Sequence, residues 1–364
     1  MVKYVRVMDG AKSNACGKKF KFNEVTTSDE WNPKATTLDT IKGINFSTEE
    51  SILRWIRRGD TLYDVEIPED AEVIKCPGTF TPNGLYRTNK IIVKNPIPLT
   101  EEVVMNLYKV SNIPDKTYHD ILALLAIRKF DKVCDELIKD RVNKNTIDDF
   151  LKDYIEFEKD IKDGIYGNYF QIKKKLESIK IEYNKNSFVR VMDGVKSNAG
   201  GFEYKLNEVN TATNWNPEAT EPEKMGGFSF GTEDKILRWL HRGDTIYDVM
   251  IPNDAEIVLC NIEKGIFRSN KIIVTNPRII TDEMVIDLYK KSTLSDKIIA
   301  QCLVTLLWKD RSKISKYIIK DRVNKGNIDE ILNEYENYAG KNSLETGLGK
   351  EIHDILLKIK NKFQ

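Results

Sequence analysis

The chain has 364 residues, 40% hydrophobic and 31% charged, values of a globular protein that exclude a disordered or fibrous one. Its 57 Lys and Arg nearly balance 56 Asp and Glu, so the net charge of +1 supplies no overall field to draw in nucleic acid or an anionic membrane. No stretch approaches the roughly 20 apolar residues of a membrane helix, the N-terminal MVKYVRVMDG lacks a signal-peptide core, and the five cysteines form no C-x-x-C pair; the expectation is a soluble, cytoplasmic protein with reduced thiols and no membrane contact.

The sequence is a duplication. The segment ILRWIRRGDTLYDVEIPEDAEV, Ile52 to Val73, returns as ILRWLHRGDTIYDVMIPNDAEI, Ile236 to Ile257. Copy one runs from Tyr4 to Tyr154 and copy two from Phe188 to Tyr338, with Arg6, Trp31, Trp55 and Asp64 matching Arg190, Trp215, Trp239 and Asp248. After Cys76 the displacement shortens, the extra residues of copy one lying in Pro77 to Gly84. The predicted organisation is a first α+β repeat over 1–155, a helical linker over 156–187, a second repeat over 188–338 and an amphipathic helix over 339–364.

Each copy opens with an alternating strand, Tyr4 to Met8 or Phe188 to Met192, and a turn at Asp9-Gly10 or Asp193-Gly194. A second strand is predicted at Phe20 to Val25 or Phe202 to Val209, followed by an irregular Trp-Asn-Pro segment and extended structure at Gly43 to Phe46 or Gly227 to Phe230. Ser47 with Glu50 has capping-box spacing, and Thr232 before Glu233 and Asp234 places an N-cap with acids in the first turn. In the helix that follows, Ile52, Leu53, Trp55 and Ile56 are predicted to face the core and Arg54, Arg57 and Arg58 solvent. Gly59 and Gly243 stand where a left-handed C-cap would stop it.

Leu62 to Ile67 alternates as a strand, Pro68 ends it, and Glu69-Asp70 turns it into a hairpin partner at Ala71 to Lys75. One further strand, Leu85 to Val93 or Ile266 to Val274, ends at Asn95-Pro96 or Asn276-Pro277. From the capping threonines Thr100 and Thr281 the pattern turns helical, and two or three short helices complete each copy. The fold class is therefore α+β: two tandem homologous domains, each a small mixed or antiparallel sheet with a helical C-terminal half. Helices flanking the copies are expected to pack on their own domains.

Histidine chemistry is nearly excluded as a duplicated function, because His119, His241 and His353 have no counterparts, and no metal site is expected. Arg58-Gly59-Asp60 spells an integrin-binding tripeptide, which a helix-stop glycine explains without a receptor. Asn45-Phe46-Ser47 matches a glycosylation sequon that copy two lacks, Gly231 standing for Ser47. Gly10-Ala11-Lys12-Ser13-Asn14 and Gly194-Val195-Lys196-Ser197-Asn198 follow a strand but lack the first glycine of a P-loop. Lys12, Ser13, Asn14, Lys196, Ser197 and Asn198 are retained as candidates for a polar ligand loop. The arginines Arg54, Arg57 and Arg58, with Arg238 and Arg242 in copy two, keep nucleic acid open as a third class of partner.

An arginine on the first strand (Arg6, Arg190), the step Phe46-Ser47-Thr48 between strand and helix, and a later acid near a strand (Glu72, Glu256) resemble the order of landmarks in ADP-ribosyltransferase folds. The resemblance covers the front half of each copy. It implies that Arg6 and Arg190 contact NAD phosphates and that Ser47, Thr48 and Thr232 support the nicotinamide ribose pocket. It also implies that Glu72 and Glu256 stabilise an oxocarbenium-like centre or position the acceptor. Copy two departs from the pattern with Phe230-Gly231-Thr232, and the paired acids read Asp70-Ala71-Glu72 and Asp254-Ala255-Glu256. The Lys/Asn/Ile-rich tandem layout also resembles repeated domains of bacteriophages or giant viruses. The residues by themselves favour a non-catalytic tandem binding protein with a protein partner and no cofactor, duplication raising avidity. The alternative is an NAD-dependent ADP-ribosyltransferase or a degenerate relative of one.

Overall fold

The computed structural model describes residues 2–13, 17–35, 38–76, 85–160, 168–197 and 201–363. The chain divides into two compact units, Met1–Leu176 and Glu177–Gln364. Unit one runs through β1 (Tyr4–Met8), β2 (Val25–Thr27), α1 (Leu38–Ile41), β3 (Ile44–Thr48), a 3-10 helix (Glu49–Arg58), β4 (Thr61–Glu66), β5 (Val73–Lys75), β6 (Leu85–Thr88) and β7 (Lys90–Pro98). Four helices follow, α2 (Glu101–Val110), α3 (Asp115–Ile127), α4 (Asp131–Arg141) and α5 (Ile147–Asp160), one or two more than expected. The next helix, α6 (Tyr169–Asn184), begins in unit one, where Tyr169 stacks on Tyr154 at 4.2 Å.

Unit two repeats the order with β8 (Phe188–Met192), β9 (Val209–Thr211), α7 (Pro222–Met225), β10 (Phe228–Thr232), a second 3-10 helix (Glu233–Arg242), β11 (Thr245–Met250), β12 (Ile257–Asn261), β13 (Ile266–Ser269) and β14 (Lys271–Ile279). Its helices are α8 (Asp282–Lys291), α9 (Asp296–Leu307), α10 (Ser312–Arg322), α11 (Ile328–Ala339), α12 (Lys341–Glu345) and α13 (Gly347–Phe363), the last burying Ile352 and Leu356 in the unit's own core. No helix among the described residues is long and apolar enough to cross a membrane.

Among the described residues each unit has one seven-stranded sheet, ordered β2-β7-β4-β1-β3-β6-β5 in unit one and, from the other edge, β12-β13-β10-β8-β11-β14-β9 in unit two. The strand ladders are antiparallel. β6 and β7 stand four strand-steps apart, about 19 Å in a flat sheet, yet only Asn89 separates them in sequence, a reach of about 7 Å from Thr88 to Lys90. The sheet therefore curls until the two meet as one bent strand. Asn89 secures the bend: its Oδ1 accepts from the Glu72 N–H at 2.9 Å and its carbonyl from the Ser28 N–H at 2.7 Å.

The curled sheet encloses Met8, Phe20, Ile44, Phe46, Tyr63, Ile91 and Val93. Its outer apolar face carries the helices; in unit two Val189, Val191 and Ile246 pack with Ile236, Leu237, Trp239 and Leu240 of the 3-10 helix and with the C-terminal helices. Each large aliphatic side chain buried in this way contributes about 1.5–3 kcal/mol.

Several expectations are corrected. Phe20 to Val25 is not a strand, because Asn23 takes a left-handed φ of 60°, and β2 starts only at Val25; Asn207 does the same in unit two. β5 does not pair with β4, both of whose edges are occupied by β1 and β7, and joins β6 at the far edge instead. The strand predicted to end at Asn95 continues to Pro98 through a bulge, where Asn95 has a φ of 48° and the register against β4 shifts between Leu62 and Asp64. Ser47 lies within β3 opposite Val5 and forms no capping box; the N-cap positions are Thr48 and Thr232, neither giving a side-chain cap bond. Thr100 and Thr281 do cap, accepting from the N–H groups of Val103 (3.3 Å) and Met284 (3.2 Å).

Candidate functional site

β1 pairs with β4 from Val5 to Met8 but with β3 only at Tyr4 and Val5. Beyond Val5 the strands β1 and β3 part, and Arg6 spans the gap. Its Nη1 donates to the Asn45 carbonyl, its Nη2 donates to Ser13 Oγ at 2.9 Å, and the guanidinium lies 5.0 Å from the Phe20 ring centre. Only 8% of Arg6 is exposed. Arg190 repeats the arrangement, donating to the Ser229 carbonyl and, at 2.9 Å, to Ser197 Oγ, over the ring of Tyr204.

The turn that presents Ser13 is fixed by the segment repeated most closely. Gly10, at a φ of 50°, donates its N–H to Asp60 Oδ1 at 2.9 Å, and the Tyr63 hydroxyl donates to the Gly10 carbonyl at 2.8 Å. The bond from Gly10, joined by one from the Thr61 hydroxyl, holds the Asp60 carboxyl below the usual carboxylate range. Gly59 is not a left-handed cap: its φ of 166° is extended backbone, and glycine is required because a Cβ would lie 1.9 Å from the Met8 carbonyl. The Arg-Gly-Asp letters thus have local structural work, the glycine in close approach and the aspartate in holding a turn.

Winding Glu49–Arg58 as a 3-10 helix aligns residues three apart. Ile52, Trp55 and Arg58 consequently share one row, and all three line a cavity of about 40 Å³ in the gap between β1 and β3, together with Arg6, Ser13, Asn45 and Ser47. Nothing in EESILRWIRR dictates the tighter winding. It nonetheless corrects the solvent face predicted at α-helical spacing: Arg57 is exposed, whereas Arg54 and Arg58 are half-buried, Arg58 resting 5.6 Å from the Trp55 ring centre. Burial, followed by the like charge of Arg57, holds the Arg58 guanidinium below the ordinary arginine range. The residues lining the cavity therefore include two arginines, two serines and a tryptophan beside the apolar Val5, Val7, Phe46, Ile52 and Leu85, and no carboxylate.

Of the residues proposed from sequence, Arg6, Ser13 and Ser47 meet at this cavity. Lys12 is exposed on the turn, and half-buried Thr48 pairs opposite Tyr4; neither lines it. Glu72 is exposed and also lies outside, accepting a 2.6 Å hydrogen bond from Trp31 Nε1, whose ring packs where Gly43 leaves room. Glu256 and Trp215 repeat that pair. In unit two Ser197 is buried against Arg190, Lys196 is exposed, and Thr232 is buried at the start of the 3-10 helix. Asn14 and Asn198 lie outside the described residues. Asn45 and Trp55 are lining residues not expected at a site from the sequence, and Arg58 is expected only on a solvent-facing basic face.

Among the described residues, Cys134, Cys302 and His119 are set in the core. No cluster of His, Cys, Asp or Glu suited to a metal ion occurs among the described residues. Burial pushes the Cys302 thiol up to about 12 and raises that of Cys134, the reverse of what a nucleophile needs. His119 is buried beside Phe150 with Nδ1 2.8 Å from Asp153, a core pair. In comparisons with known proteins, no family model, curated protein or solved structure matches the chain.

Proposed function

We propose that unit one binds the phosphoryl end of an anionic ligand and does not transform it. The observation that carries the reading is the convergence of Arg6, Arg58, Ser13, Ser47 and Trp55 on one cavity without a carboxylate. Guanidinium groups match tetrahedral oxyanions through paired N–H donors, and partial burial strengthens that attraction relative to water. A volume of about 40 Å³ accommodates a few waters or one tetrahedral oxyanion. It falls well short of the roughly 300 Å³ at which pockets begin to enclose whole cofactors.

The same size and composition weigh against NAD. The arginine suits a phosphate, but the nicotinamide ribose chemistry needs a carboxylate that this cavity lacks, Glu72 being committed to Trp31. The transferase reading keeps one observation in its favour, the meeting of Arg6 with Ser47. Binding of a protein partner is compatible with the same chemistry if the partner bears a phosphorylated side chain.

Titration of the full chain with inorganic phosphate, ADP and a phosphoserine peptide, followed by calorimetry, tests the proposal. Arg58→Gln is expected to weaken the responding ligand about tenfold, the effect of one charge-assisted contact. Affinity for all three that is indifferent to Arg58→Gln and to Ser47→Ala would overturn it. Tight, salt-sensitive retention of unphosphorylated-end RNA or DNA, weakened by Arg57→Gln rather than Arg58→Gln, would favour a nucleic-acid surface instead.

A further inference from the structure

The arginine across the gap from Arg6 differs in its surroundings between the two units. In unit one Arg87 stands directly opposite Asn45, and its Nε donates to Asn45 Oδ1 at 2.7 Å. Unit two places Ser229 opposite Arg268, a side chain too short to repeat that bond. Arg268 Nη1 still donates to the Gly226 carbonyl at 2.7 Å, but its Nε is buried with no hydrogen-bond partner among the described residues. The Nε of Arg190, itself 8% exposed, is in the same condition.

Arg242 completes the group, lying 4.9 Å from the Trp239 ring centre on the row that Arg58 occupies in unit one. Arg190 bonds to the carbonyl of Ser229, the residue directly opposite Arg268, so the two arginines flank the same position of β10. Burial, and then the like charges of Arg242 and Arg268 working against the Tyr204 phenol, holds Arg190 below the ordinary arginine range. Burial and Arg268 do the same to Arg242. Like charges gathered around buried, unsatisfied donors are costly until an anion enters. An oxyanion bound among these side chains would offer an acceptor to the unsatisfied donors and relieve the repulsion.

We propose that unit two carries its own phosphoryl-binding site at Arg190, Arg242 and Arg268, tighter than the site of unit one and selective for a multiply charged phosphate such as pyrophosphate. The proposal rests on the reading of unit one as a phosphoryl binder. Gly231, in place of Ser47, leaves this second site with fewer hydroxyl donors and a greater dependence on charge.

Calorimetric titration of the full chain with inorganic phosphate and with pyrophosphate tests it. Two classes of site are expected, the tighter preferring pyrophosphate by about tenfold or more, as one additional charge-assisted contact gives. Arg268→Gln should weaken the tighter site about tenfold and leave the other, whereas Arg58→Gln should do the reverse. Ser229→Asn, which restores an acceptor for Arg268 without removing any charge, should also weaken the tighter site while the thermal melt holds or rises. A single class of site, sensitive to Arg58→Gln and indifferent to both unit-two substitutions, would overturn this inference and leave the reading of unit one intact. No heat with either probe would overturn both.

Discussion

Gly59 offers the sharpest test of the architecture, because two explanations of the same glycine predict different outcomes for one substitution. A left-handed helix stop tolerates asparagine, whose short polar side chain visits that conformation. The structure gives a different cause. Gly59 has φ 166° and ψ −170°, which any residue adopts, so conformation costs nothing and space decides. A Cβ would lie 1.9 Å from both the carbonyl carbon and the oxygen of Met8, and 2.3 Å from the Asp9 nitrogen. Since real Cβ contacts essentially never fall below 3.0 Å, the two backbones must separate by about 1 Å.

That displacement falls on β1, a central strand, and on the 3.0 Å bond from the Asp60 N–H to the Met8 carbonyl. Overpacking that side chains absorb costs about 1–3 kcal/mol, and a lost backbone hydrogen bond adds about 1 kcal/mol. Gly59→Ala and Gly59→Asn should each therefore destabilise unit one by about 3 kcal/mol or more. Urea denaturation of the full chain reads this as an earlier transition for one unit only. Gly243→Ala, whose Cβ would lie 1.9 Å from the Met192 carbonyl oxygen, should move the other transition. Gly10→Ala is the control: φ is 50° with nothing within 4 Å, so only the conformational cost of about 1–2 kcal/mol applies. An asparagine variant within about 0.5 kcal/mol of wild type would refute the close-approach argument and reinstate the helix stop.

Glu72→Gln should lower the stability of unit one by no more than about 1 kcal/mol, through the weakened bond from Trp31, and leave phosphate affinity unchanged. Transfer of label from NAD that this variant abolished would instead give Glu72 a catalytic role. Asp60 is held below its ordinary 3.8 by bonds from Gly10 and Thr61, so its contribution is complete above that pH and is lost as pH falls through the lower folded-state value. Urea midpoints measured between about pH 5 and pH 2 should fall with acidification, and less steeply in Asp60→Asn; equal slopes would contradict the turn-holding role. The thiols of Cys134 and Cys302, buried and raised, should react with a disulfide reagent at pH 8 only as fast as the chain opens, so that urea and reagent rates rise together.

Features set by neighbours in sequence were legible. The alternation of Tyr4 to Met8 and Leu62 to Ile67, and the threonine caps before α2 and α8, are local physics and reappear as β1, β4 and the two capped helices. Pairing was not legible, because it depends on which edges the rest of the sheet leaves free. The turn at Glu69 and Asp70 exists, yet the strand after it crosses to β6, since β1 and β7 already cover β4. The bend at Asn89 has no glycine or proline to announce it. It is imposed by closure of the sheet and steadied by Glu72 and Ser28 from outside the strand.

For the site, duplication was both guide and trap. It repeats scaffold as faithfully as chemistry, so recurrence alone cannot separate Arg6 from Glu72. Placement does, since Arg6 lines the cavity and Glu72 lies outside it. The Trp31–Glu72, Asp60–Gly10 and Tyr63–Gly10 contacts recur as Trp215–Glu256, Asp244–Gly194 and Tyr247–Gly194, each pair closing on itself and leaving nothing aimed at a ligand. Trp55 and Arg58 are expected on different faces, because a period of 3.6 sends Trp55 to the core and Arg58 to solvent, and only three-residue winding brings both to the cavity. What the copies do not share is then the more informative part. Around the same arginine, Asn45 becomes Ser229 and Ser47 becomes Gly231, exchanges that leave the core untouched and change which donors face the gap. Specificity that differs between two otherwise repeated units has to reside at such positions, because the groups the units share cannot distinguish one ligand from another.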